Sequence, residues 1–274
     1  MRHFHRYQEA LARAKSVLVI GAGPAGIEFA GFAASTFPNA KVTLVHNGAE
    51  LLSNVPAAAP KFRADLTRKL QALGVELVFD EALALPADDD LSVPAARTLT
   101  STKTGRAFPS DVQIVATGYT KLNSEPLQAS PWAARLSKAG LQVNEYLQVE
   151  GAPHIFVAGD VADVRGPNGP VTKMAAQARF QAEVVIENLH RLLDARAKGG
   201  ERGAAGAAAV ALKPFKPMHF GMMAAIAKGT GAVQGLPFDQ WTAGGWLGNV
   251  LAGFKAKDFF LKALVQKYVA PVKS

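Results

Sequence analysis

The amino-acid sequence predicts an α/β fold built around a doubly wound parallel sheet. Three observations carry that expectation: the apolar, β-branched run Ser16-Val17-Leu18-Val19-Ile20, the turn Gly21-Ala22-Gly23-Pro24-Ala25-Gly26 directly behind it, and a second strand, Lys41-Val42-Thr43-Leu44-Val45. A continuous apolar run suits a strand covered on both faces, which is the habit of parallel sheets. Small apolar residues from Ile27 to Ser35 fall at helical spacing between the two runs. Strand, turn, helix and strand within about 30 residues form one βαβ unit, whose crossover is right-handed.

The alternation continues along the chain. Lys61 to Leu73 is amphipathic, with Phe62, Leu66 and Leu70 on one stripe, and Val75 to Phe79 follows as a strand. The triplet Asp88-Asp89-Asp90 between Pro86 and Pro94 marks a solvated loop. Thr98 to Phe108, with Thr104-Gly105 at its middle, reads as a hairpin leading into the strand from Asp111 to Gly118. Leu141 to Val149 alternates as a strand, and His154 to Ala158 is a second buried run ending at Gly159-Asp160. Lys173 to Leu193 is a long helix, and the Ala, Gly, Lys and Arg stretch from Ala195 to Ala209 lacks the apolar surface to order itself.

At 274 residues the chain is long enough for about two domains at roughly 150 residues each. The complete absence of cysteine excludes disulfides, thiolate metal sites and a catalytic thiol within this chain. The six histidines are scattered, so no metal site is expected, and neither a nucleotide-triphosphate loop nor a serine nucleophile elbow is present. The net charge is +8, and residues 213–274 hold eight lysines against Asp239 and Asp258. Because no aromatic platform accompanies these lysines, no nucleic-acid partner is expected.

The glycine turn is where chemistry enters. Gly21 permits the tight turn, Gly23 lets a pyrophosphate approach the backbone, and Gly26 lets helix and strand pack closely, while the helix start offers free N–H groups and a partial positive charge. Ala22, Pro24 and Ala25 complete a candidate dinucleotide cradle. Where NAD-specific folds commonly end the second strand in a carboxylate, this chain has Val45-His46-Asn47. A 2′-phosphate meets no repulsion there, so NADPH is expected to be tolerated, with His46 and Asn47 as candidate donors.

Three motifs in order, GAGPAGIEFA from Gly21, Ala116-Thr117-Gly118, and Ile155-Phe156-Val157-Ala158-Gly159-Asp160, resemble the pyridine-nucleotide half of the flavoproteins with two dinucleotide-binding domains. KVTLVH from Lys41, LQVNEYLQVE from Leu141, AGDVADVR from Ala158 and Lys173-Met174-Ala175 are similar to the apoptosis-inducing-factor-like, ferroptosis-suppressor-type quinone reductases. The resemblance implies FAD and NAD(P)H as cofactors, a Rossmann-type fold, and a quinone-like small molecule as electron acceptor. It implies Glu28 at the nicotinamide edge, Thr117 and Gly118 beside the nucleotide, Gly159 and Asp160 on the flavin's ribityl chain, and Lys173 with Met174 at its N1/O2 edge. Glu28 and Lys173 are the expected catalytic pair. Negative charge gathers on the N1 side when flavin accepts hydride, and a lysine at a helix start suits that charge.

The resemblance also divides the chain: a connecting helix at 1–14, an NAD(P)-binding domain at 15–122, the C-terminal part of a FAD domain at 123–195, a linker at 196–212 and a small α+β module at 213–274. Members of this superfamily carry a further strand–GxGxxG–helix for FAD ahead of the nicotinamide domain, whereas this sequence holds one GxGxxG. The chain is therefore expected to correspond to the C-terminal two-thirds of such an enzyme, as a truncated form or one half of a split protein. Completion by a homodimer partner or by a separate N-terminal half follows from that expectation. In the last module, Leu261, Leu264, Val265 and Tyr268 share one helical face and Lys255, Asp258, Lys262 and Gln266 the other. A helix of this kind at 254–269 packs on the protein or lies on an anionic membrane. The first residues carry no apolar signal region, so the expected location is the cytoplasm, with membrane association through that helix. Two rival functions stay open at this point: a flavin-free NAD(P)H-binding module, and a reductase of an acidic protein docked by the basic C-terminal third.

Overall fold

The computed structural model describes residues 2–55, 58–86, 91–118, 122–166, 169–171, 173–199, 210–217, 222–235, 242–243 and 249–250. These fall into two units, one containing residues 1–118 and 219–274, the other residues 119–218.

The first unit opens with helix α1 (Arg2–Arg13), then β1 (Ser16–Ile20), α2 (Pro24–Thr36), β2 (Lys41–Val45), α3 (Pro60–Ala72) and β3 (Glu76–Val78). β4 (Arg97–Thr100) and β5 (Ala107–Ser110) form the expected hairpin, and β6 (Val112–Val115) returns to the sheet. The sheet order is β3-β2-β1-β6, all parallel, with Val19 opposite Leu44 on one side and Ile114 on the other. Reversal of direction on either side of β1 is the doubly wound arrangement, which puts a ligand crevice at the C-terminal end of β1. Val17, Val19, Val42 and Leu44 point to the helices, where Ile27, Ala30, Phe62, Leu66 and Leu70 meet them fully buried. Leu18, Ile20, Val45 and Val78 point the other way, onto Leu99 and Phe108 of the hairpin. Both faces of β1 are therefore covered from Val17 to Ile20, as its apolar run requires, and β2 is covered at Val42, Leu44 and Val45, with Lys41 exposed and Thr43 half-buried.

Asp111 fastens the start of β1. One carboxylate oxygen accepts the backbone N–H of Lys15 at 2.7 Å and of Ser16 at 2.9 Å, and the Ser16 hydroxyl accepts the N–H of Asp111 at 3.1 Å. The two backbone donors hold the Asp111 carboxyl below the usual carboxylate range. A depressed native value means the contribution is complete above the unfolded value of about 3.9 and is lost as pH falls through the native one. Asp111→Ala should lower the Tm at pH 7, and the difference from wild type should close as pH falls below about 4. A difference that stays constant down to pH 3 would count against this role.

The second unit contains α4 (Glu125–Gln128), β7 (Leu136–Ser137), β8 (Gly140–Gln142), β9 (Gln148–Val149), β10 (Ala152–Phe156), β11 (Ala162–Asp163), β12 (Arg165–Gly166), β13 (Gly169–Pro170) and α5 (Ala175–Gly199). Here two expectations are corrected. The stretch from Leu141 to Val149 is two short strands, because the Asn144 side chain accepts the N–H groups of Tyr146 and Gln148 at 3.0 and 2.9 Å and Leu147 turns left-handed at φ 65°. Asparagine closes a turn against its own backbone, and hydrophobic alternation does not reveal that. The run from His154 is also less buried than expected: Pro153 and His154 of β10 are exposed, Ile155 and Phe156 half-buried, and β10 pairs antiparallel with β9.

α5 continues to Gly199, so the first residues of the expected linker are helical. After it, Phe215 is buried in the second unit's core, and the fully buried Asn188 of α5 bonds both the N–H and the C=O of Lys213. The chain then joins the first unit as β14 (Met222–Ala227), β15 (Thr230–Gln234) and β16 (Thr242–Ala243), an antiparallel sheet. The acidic triplet Asp88–Asp90, the glycine-alanine stretch 200–209 and the amphipathic segment 254–269 lie outside the described residues. No helix among the described residues is long and apolar enough to cross a membrane.

Candidate functional site

The crevice at the end of β1 is built by the glycine turn. Gly21 adopts φ 106°, a left-handed conformation, and a Cβ there would lie 2.5 Å from the Ala116 carbonyl oxygen. Its N–H donates to the Val45 carbonyl at 2.8 Å, and Ala116 N–H donates to Ile20 O at 2.8 Å. β1, β2 and the end of β6 thus converge on one turn. Gly23 is extended and starts α2 with Pro24 in its first turn and no side-chain cap. An uncapped helix start leaves backbone N–H groups and a positive dipole end for an anion. A Cβ on Gly23 would meet nothing within 4 Å, so the cradle is open to a ligand there, whereas one on Gly26 would lie 1.8 Å from the Gly21 carbonyl oxygen. This donor set and the free approach at Gly23 fit a pyrophosphate.

The loop after β2 supports that turn from below. His46 is 6% exposed; its Nδ1 accepts the Ala22 N–H at 3.3 Å, and Nε2 lies 2.8 Å from the Ser53 hydroxyl. Leu52, at φ 56°, donates its N–H to the Ala22 carbonyl at 2.9 Å. Burial pushes the His46 imidazole below its ordinary value, with the Asp80 charge opposing. As a candidate phosphate donor His46 is therefore corrected: both ring nitrogens are already engaged under the turn, with the Ala22 N–H and the Ser53 hydroxyl. Asn47 is exposed, and its carbonyl accepts the Lys103 ammonium at 3.4 Å. Lys103, from the turn between β4 and β5, brings to the end of β2 the cation that the local sequence lacks. Neither Ser53 nor Lys103 has any local signature of this placement.

Thr117 and the left-handed Gly118 follow β6, exposed at the same rim. Glu28, one turn into α2, accepts the Ala225 N–H of β14 at 3.1 Å. One of its carboxylate oxygens is thus used to hold the C-terminal hairpin, a contact across 197 residues.

The second unit gathers Gly159, Asp160, Lys173 and Met174. Gly159 turns left-handed at φ 85°, and its N–H is held at 2.7 Å by Gln181 of α5. The Lys173 ammonium donates to the Asp160 and Ala162 carbonyls, tying the start of α5 to that loop. Burial lowers the Lys173 pKa, while Asp160 and Asp163 oppose the shift. Met174 is half-buried beside it, and Asp160 is exposed. Gln181 is a further candidate that the sequence did not single out.

Residues 1–191 match the family described as pyridine nucleotide-disulphide oxidoreductase. The chain belongs to this family. Its members use FAD and NAD(P)H, and this member shares their α/β Rossmann-type fold. It is 31% identical over 178 residues to human ferroptosis suppressor protein 1, covering 65% of this chain and 45% of that protein. To apoptosis-inducing factor homolog A of Dictyostelium discoideum it is 26% identical over 176 residues, covering 59% and 42%. The water-forming NADH oxidase from Lactobacillus brevis bound to NADH superposes with a TM-score of 0.61 at 21% identity, over 85% of this chain and 45% of that one. The chain spans about half the length of the curated relatives it matches.

Proposed function

We propose that the protein takes part in FAD-dependent electron transfer from NAD(P)H to a quinone-like acceptor. The observation that carries this reading is the glycine turn between β1 and α2, whose uncapped helix start and open approach at Gly23 fit a dinucleotide in a chain of this family. FAD, when bound, supplies the two-electron chemistry between nicotinamide and acceptor.

The chain's own residues bind and orient. Gly23 and the first turn of α2 hold a pyrophosphate through backbone N–H groups. Asn47 and Lys103 border the end of β2, where a carboxylate would reject a 2′-phosphate, and this supports NADPH as well as NADH. On the flavin side, Asp160 offers a carboxylate to a ribityl hydroxyl. Lys173 keeps that loop in place and contributes a positive charge near the start of α5.

The test is the visible spectrum of the purified chain after incubation with FAD and desalting. Retained flavin absorbance that bleaches with NADPH and returns with a soluble quinone is the expected result. A colourless protein that binds NADPH would replace the proposal with a flavin-free nucleotide-binding module. Bleached flavin that no quinone reoxidises would remove the acceptor assignment.

A further inference from the structure

We infer that His46 is a positioning residue that holds the glycine turn in its nucleotide-binding shape only while its ring is neutral, so that acid weakens dinucleotide binding. This inference rests on the glycine turn being the dinucleotide site, and it adds the group that controls the turn's shape.

The geometry is a chain of two contacts through one buried ring. Ala22, between the first two glycines, is fully buried, so its peptide N–H has no water to turn to. The acceptor it finds is His46 Nδ1 at 3.3 Å. An Nδ1 that accepts must be unprotonated, which places the ring proton on Nε2, facing the Ser53 hydroxyl at 2.8 Å. Ser53 is pressed onto the ring because residue 48 is glycine: a Cβ there would lie 2.1 Å from Ser53 Oγ and 3.0 Å from His46 Nε2. Leu52 holds the other face of the same residue through the Ala22 carbonyl. Both backbone groups of Ala22 are thus set by the loop after β2.

A proton on Nδ1 turns the acceptor into a donor aimed at the Ala22 N–H. Two donors facing each other inside a buried site leave one buried N–H unsatisfied, and the turn must open or the ring must leave. The charged groups around the ring do not offer it another partner. Asp80, just beyond β3, is exposed and favours the protonated ring only partly, since burial is the larger influence. Glu50 of the same loop is paired with Arg63 at 2.5 Å. Glu81 is held by Ser101 and by Thr104. Lys103 adds a further positive charge at Asn47.

The direction of the pH effect is decisive. If His46 were a direct cationic donor to phosphate, acid would strengthen binding, because a charged donor bonds phosphate better than a neutral one. A neutral ring that accepts from Ala22 gives the opposite sign. Burial sets the transition below the ordinary value of about 6.5.

The experiment measures the dissociation constant of ADP-ribose for the full chain between pH 5 and pH 8, in wild type, His46→Asn and His46→Leu. ADP-ribose is used because a 2′-phosphate would itself titrate near pH 6. Wild-type affinity should fall about tenfold per pH unit below the transition, the slope of one proton. His46→Asn keeps an acceptor that does not titrate, so its pH dependence should vanish. His46→Leu, with no acceptor, should bind about tenfold more weakly than His46→Asn at pH 7.5. Nitrogen chemical shifts of the ring should show Nε2–H as the neutral tautomer, a readout independent of ligand. Flat or rising wild-type affinity in acid, or an Nδ1–H tautomer, would overturn the inference. Absence of ADP-ribose binding at every pH, with the Nε2–H tautomer intact, would overturn the nucleotide assignment and the inference with it.

Discussion

Gly26→Ala should weaken dinucleotide binding by at least about a hundredfold. The added methyl carbon would lie 1.8 Å from the Gly21 carbonyl oxygen and 2.9 Å from its carbon, and 3.4 Å from Ala116 Cβ. The nearest two atoms are backbone within the turn itself, so no side chain can rotate away. Relief requires α2 to lift from the end of β1, which moves the N–H groups of its first turn away from their common target. Overpacking of this kind costs about 1–3 kcal/mol of stability. The loss of aligned donors should weaken NADPH affinity by at least about a hundredfold, or about 2.7 kcal/mol. Gly23→Ala is the control, since its Cβ would face open space at an ordinary φ of −73°. It should fold with a wild-type Tm and lose affinity only through its methyl at the ligand approach. Titration of NADPH fluorescence and a thermal melt separate the two variants. Affinity of Gly26→Ala within threefold of wild type would disprove this account of the turn.

Gly31→Val should detach the C-terminal hairpin from the nucleotide helix. Gly31 lies on the buried face of α2, and a Cβ there would stand 2.2 Å from the Ile226 carbonyl oxygen and 2.7 Å from Ile226 Cβ. The hairpin of β14 and β15 reaches this helix pair through several further tethers. Glu28 accepts the Ala225 N–H, the Ala59 N–H donates to Gln234 at 2.7 Å, and Lys69 donates to the Gly231 carbonyl. Lys69 is itself buried against Asp65 at 2.8 Å, so moving the hairpin strips a buried cation of one acceptor. Ala224, Ile226, Ala232 and Met222 would lose their packing on the first unit's core. A branched side chain forced into this contact should cost about 3 kcal/mol. For a chain of this size that corresponds to a Tm lower by roughly 6–12 °C. Thermal unfolding followed by circular dichroism reads the shift, and limited proteolysis should show earlier cleavage C-terminal to Gly229. An unchanged Tm would mean that α2 and β14 do not approach this closely.

The first βαβ unit was legible because its information is local. Val17 to Ile20 is apolar throughout because both faces are covered, Val42, Leu44 and Val45 are buried beside it, and Gly26 answers a steric demand set within its own turn by the Gly21 carbonyl. The stripe of Phe62, Leu66 and Leu70 likewise states which face of α3 is buried, and all three are fully buried. In the second unit local pattern failed at Asn144, whose side chain competes with the strand for the backbone, and at β10, whose partner strand is itself only two residues long.

The site divides along the same line. The sequence by itself determined the cradle of Gly21, Gly23 and Gly26, since a tight turn running into a helix is a property of consecutive residues. Only the tertiary structure decided what the neighbouring polar groups do: His46 beneath the turn in place of facing solvent, Lys103 at Asn47 across 56 residues, and Glu28 on Ala225 across 197. Burial and partner choice depend on which distant backbone arrives at a side chain. A polar residue at the end of a strand reads the same in sequence whether water or a buried N–H awaits it.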